Sequence, residues 1–60
     1  MKLVKIDDSY INADKIISVV DNSLKQEDDH NTIIYCEGGY SVSTEMNIEQ
    51  VMDRIIEATL

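Results

Sequence analysis

The chain has 60 residues, with twelve Asp and Glu against five Lys and Arg, for a formal net charge of −7. Such a length makes one domain, residues 1–60, that on folding hides only about 60% of the surface its unfolded form exposes. The acidic balance excludes a direct nucleic-acid binder, which needs a basic footprint, and equally a protein that docks on an anionic membrane surface.

Hydrophobic residues at 43% and charged residues at 28% describe a globular chain, since disorder needs far fewer β-branched side chains. No apolar run approaches the ~18–20 residues of a membrane span. The start, Met1 to Asp8, lacks the long apolar stretch of a signal peptide. A single cysteine, Cys36, forms no internal disulfide. Together these lead us to expect a cytoplasmic protein without membrane insertion. The charge is unevenly spread: residues 1–26 hold four acids and four lysines, whereas residues 27–60 hold eight acids against Arg54 alone. All the excess negative charge therefore belongs to the second half.

In chain order, Lys2 to Ile6 is a short β-branched stretch, ended by Asp7-Asp8, a pair that favours a turn. Ser9-Tyr10-Ile11 is a brief return strand. Asn12 to Lys15 reads as one helical turn with Asn12 as its cap. Ile16 to Val20 is the next strand, stopped by Asp21-Asn22-Ser23, and Leu24 to Asn31 is a polar loop. Thr32 to Glu37 is a strand, Gly38-Gly39 supplies a tight turn, and Tyr40 to Thr44 is the returning partner.

The clearest periodicity lies at the end. Ile48, Val51, Met52, Ile55 and Ile56 fall at i, i+3, i+4, i+7 and i+8, one face of a helix. Asn47 is placed to cap it, with Gln50 at the third position to reach back. Strands followed by one helix give an α+β fold: a small antiparallel β-sheet of three to five short strands, with a C-terminal amphipathic helix packed on one face.

A two-residue Gly38-Gly39 loop predicts the hairpin register. It pairs Tyr35 with Val42 and Ile33 with Thr44 on one face, and Cys36 with Ser41 and Ile34 with Ser43 on the other. The strand Ile16–Val20 likewise has apolar groups both ways, Ile17 and Val19 against Ile16 and Val20. One helix covers only one side of a sheet, so the other side needs a cover. A second copy is the simplest one for a domain this small without metal or disulfide. A homodimer or higher oligomer is expected, with Tyr10, Tyr35, Tyr40, Ile34 and Cys36 as interface candidates. Tyrosine suits that role through its large apolar body and polar tip.

Catalytic chemistry is not legible. Cys36 lies inside a strand with no neighbouring base and reads as a packing residue. Asp28-Asp29-His30 are consecutive in a polar loop, unlike the spaced ligands of a zinc site. No calcium loop, phosphate-binding glycine loop or CxxC pair is present. The expectation is a protein that is not an enzyme and holds no cofactor or metal. An enzyme subunit completed in an oligomer around Cys36 and His30 is the least favoured reading.

The acidic stripe is the best functional lead. Glu49, Asp53 and Glu57 are spaced i, i+4, i+8 on the solvent side of the helix, and Glu45 precedes them. Like charges at that spacing cost roughly 0.2–0.5 kcal/mol per pair, and Glu57 sits at the unfavourable negative end of the helix dipole. A stripe held against those costs suits electrostatic docking to a basic protein surface.

Three segments, Lys2-Leu3-Val4-Lys5-Ile6, Ile11 to Ile16 and Asn31 to Tyr35, together with Gly39 and the ending Asn47 to Glu57, resemble the FlbD/SwrD-type small flagellar-operon proteins. The likeness runs nearly the whole length in order. It implies a strand, an asparagine-capped turn, a glycine hairpin and a closing acidic helix, with a role in motility and no catalytic residues to carry over. The leading reading is a non-enzymatic acidic interaction or regulatory protein acting as a homo-oligomer. The alternative is a phage- or prophage-type acidic inhibitor that imitates nucleic acid before a DNA- or RNA-handling enzyme.

Overall fold

The computed structural model describes residues 2–23 and 31–60. The sequence-predicted loop Asp28-Asp29-His30, with any role for His30, lies outside the described residues. Strand β1 (Leu3–Ile6) turns through Asp7-Asp8 into β2 (Ser9–Asn12), and Asp7 takes a φ of 53° there. Aspartate tolerates that left-handed backbone better than most side chains. A single 3-10 turn, Ala13–Lys15, follows; the Asn12 side chain accepts a hydrogen bond from the Asp14 N–H at 3.0 Å. Strands β3 (Ile16–Asp21), β4 (Thr32–Cys36) and β5 (Ser41–Thr44) make an antiparallel meander, and helix α1 (Ile48–Thr59) closes the chain. The fold is α+β, as expected, with its strands divided between a two-stranded β1-β2 sheet and a three-stranded β3-β4-β5 sheet.

The hairpin register differs from the one expected. Ile34 pairs with Val42, Tyr35 with Ser41, Ile33 with Ser43 and Thr32 with Thr44. Three residues, Glu37–Gly39, form the connection rather than two, and the Cys36 N–H donates to the Tyr40 carbonyl at 2.8 Å. Gly38 and Gly39 both take positive φ, 82° and 79°, which lets the extra residue fit. A one-residue slip moves side chains to opposite faces. Here it is β5 that changes sides: Val42 joins Ile34 on the core face, and Ser41 joins Tyr35 on the outer one. Ile34 is fully buried, which removes it from any interface, while Tyr35 is exposed.

Strand β3 also departs from simple alternation. Its register shifts between Ile16 and Ser18, so Ile17 is an unpaired bulge residue. Ile16 and Val19 pack on the core, whereas Ile17 and Val20 are exposed. The sequence had grouped Ile17 with Val19; one inserted residue undoes that grouping.

Val4, Ile6, Ile11, Ile34 and Val51 form the buried apolar centre, so the two sheets and the helix share one core. Helix α1 lies chiefly on β1. Val51 is buried and Ile48, Ile55 and Ala58 half-buried, but Met52 and Ile56 remain exposed on one flank. The covered face is centred nearer Ala58 than the sequence periodicity suggested. Lys2 Nζ donates to the Thr59 carbonyl at 2.7 Å, and Arg54 reaches the Lys5 carbonyl at 3.5 Å, which runs the helix antiparallel to β1. With no basic residue in its own last turn, the helix receives its C-terminal cation from Lys2.

Candidate functional site

The acidic row begins where the chain leaves β5. Thr32 and Thr44 form a buried cross-strand pair whose hydroxyls both engage Met46. The Thr32 hydroxyl donates to the Met46 carbonyl at 2.7 Å, and the Met46 N–H donates to the Thr44 hydroxyl at 3.2 Å. Asn31 adds two more ties, its N–H to the Thr44 carbonyl at 2.9 Å and its amide Nδ2 to the Glu45 carbonyl at 2.7 Å. The turn into α1 is thus pinned to the sheet from four directions. The helix then starts on a reciprocal cap: the Asn47 side chain accepts from the Gln50 N–H at 2.9 Å, and the Asn47 N–H donates to the Gln50 side chain at 3.1 Å.

From this anchored start Glu45, Glu49, Asp53 and Glu57 all project into solvent. The last three stand about 6 Å apart along the helix axis, at 1.5 Å per residue. Among the described residues the one ion pair is Lys15–Glu37, at 3.4 Å, so none of the four acids has a described counter-ion. Beside the row lies a shallow polar depression of about 190 Å³, lined by Met46, Gln50, Asp53, Arg54 and Glu57. No group of three or more metal-ligating side chains occurs among the described residues.

The five sheet candidates part company. Tyr10 from β2, Cys36 from the end of β4 and Tyr40 before β5 line one largely apolar groove of about 560 Å³, together with Ile11 and Val42. Tyr10 is 66% and Tyr40 74% exposed, so their rings form its walls. The Lys15–Glu37 pair lines the same groove, and Lys5 Nζ stands 6.0 Å from the centre of the Tyr10 ring. Tyr35 is on the opposite face of the sheet, and Ile34 is in the core. Sequence reasoning named Tyr10, Cys36 and Tyr40 but missed Ile11 and Val42. No local signal marks those two, because β2 and β5 belong to different sheets and meet only in the folded chain.

Among the described residues no helix is long and apolar enough to cross a membrane. Comparison with family models, curated proteins and solved structures returns no match for this chain.

Proposed function

We propose that the chain is a non-enzymatic interaction protein that works as a homo-oligomer and offers Glu45, Glu49, Asp53 and Glu57 to a basic protein surface. The observation that supports this most is the row itself: regularly spaced carboxylates on a helix anchored along its other side, none of them in a described ion pair. The anchored helix loses little backbone freedom on docking, and the field of its carboxylates speeds encounter with a cationic patch. The resemblance to the small flagellar-operon proteins suggests that the partner belongs to the motility machinery.

The test compares the wild-type chain with Glu49→Gln, Asp53→Asn, Glu57→Gln combined. A basic partner captured by the wild type should associate with the variant about tenfold more slowly at low ionic strength. Equal association rates would end this reading. The regular spacing of about 6 Å between carboxylates also suits a nucleic-acid imitator. For that second reading, the captured partner is a DNA- or RNA-handling enzyme, and nucleic acid displaces the chain from it; a partner indifferent to nucleic acid excludes the imitator.

A further inference from the structure

The outer face of the three-stranded sheet is built from two cross-strand rows. Ser18, Tyr35 and Ser41 make one, and Val20, Ile33 and Ser43 make the other. The bulge residue Ile17, 67% exposed, adds to the same face, where Tyr35 is 42% exposed. None of these seven residues is charged, in a chain whose net charge is −7. The opposite side of this sheet carries Ile34, which shares its core with Val51 of α1, so the acidic row lies across the core from the neutral face.

We infer that this face is where two copies of the chain meet. The inference rests on the proposed homo-oligomer and names its surface. Charge selects the occupant. A basic partner would find no carboxylate on these rows, and a nucleic acid would find no cation. Two copies that meet through their helices bring like charges together, acidic row against acidic row. Stacked through the neutral face, about 10 Å between sheets, they keep both acidic rows at the far ends of the pair and free for a partner. A two-fold axis through β4 sets Ile33 and Tyr35 at the centre, and the serines form a polar rim.

Area sets the strength. Three strands at about 4.8 Å spacing, and six residues of β3 at about 3.3 Å each, give a footprint of about 14 by 20 Å. That falls below the ~800 Å² per partner of a standard interface, which places the dimer in the weak, concentration-dependent class.

Sedimentation velocity on the full chain, from about 1 µM to about 500 µM, tests the inference. The wild type should pass from 6.8 kDa toward twice that mass. Tyr35→Glu, and separately Ser41→Glu, should raise the dissociation midpoint about tenfold or more by setting like charges face to face. Tyr40→Glu in the groove should leave it unchanged. Far-UV circular dichroism confirms that each variant is folded, and the exposed Ser41 substitution decides the matter if Tyr35→Glu does not fold. A wild type that stays monomeric at the highest concentration overturns both the interface and the homo-oligomer. An oligomer that ignores Ser41→Glu but is dispersed by Tyr40→Glu overturns the interface alone.

Discussion

Ile34 sits directly opposite Val42 across the β4-β5 ladder, and its side chain has no exposed surface. Its sequence neighbour Ile33, paired with Ser43, points the other way. Two adjacent isoleucines in one strand thus have different physical roles. Ile34→Ala should destabilise the chain by about 2–5 kcal/mol, through lost burial plus the cavity left behind. Ile33→Ala should cost less than half as much at concentrations where the chain is monomeric. Urea unfolding of the two variants checks this, and equal losses would contradict the register.

The turn should discriminate among small residues by backbone rather than by space. A Cβ on Gly39 would touch nothing within 4 Å, yet the residue's φ is +79°. Gly39→Ala should therefore cost about 1–2 kcal/mol for the left-handed backbone alone. Gly39→Asn should cost distinctly less, since asparagine tolerates that region. At Gly38 a Cβ would also come to 3.3 Å from the Tyr40 ring, so Gly38→Ala should lower the melting temperature at least as far as Gly39→Ala. Thermal unfolding ranks the three.

Thr32 links the sheet to the acidic helix. Thr32→Val keeps the shape but removes the donor to the Met46 carbonyl, leaving that oxygen without its 2.7 Å partner. A loss of about 1–3 kcal/mol is expected. Faster amide exchange at Met46 and in the first turn of α1, with β1 unaffected, would show that the damage stays at this junction.

Asp21 offers a pH readout. The Ser23 side chain, and then the Ser23 N–H at 2.9 Å, hold its carboxyl below the ordinary value of 3.8. A depressed folded-state pKa favours folding above the unfolded value, and that contribution is lost as pH falls below about 3.8 through the lowered value. An NMR titration of the Asp21 carboxyl should have its midpoint below 3.8 and move back toward it in Ser23→Ala, which removes the larger cause and keeps the backbone bond. An unmoved midpoint would contradict this account.

Much of the fold was readable because its signals are local. The Asn47–Gln50 cap, the Asn12-capped turn and the order of five strands before a helix each follow from a few neighbouring residues. What escaped depended on a single residue of phase. Counting Gly38-Gly39 as the whole loop, when Glu37 belongs to it, reversed the faces of β5 against β4, setting Val42 beside Tyr35 instead of Ile34. The bulge at Ile17 did the same to the near half of β3. Of the candidate surfaces, the helix row was legible from i, i+4 spacing. The groove of Tyr10, Cys36 and Tyr40 was not, since only the packing of one sheet beside the other brings those residues together.

The bulge makes β3 one residue longer than its partner requires. Excising residue 17 would leave Ile16, Ser18, Val19 and Val20 in unbroken in-out alternation, with Val19 still against Ile34 and Val20 against Ile33. Deleting a residue from the middle of a strand ordinarily throws everything beyond it out of frame. Here the ladder contains its own spare rung, and a 59-residue version of the chain (60 less one) should keep the same core.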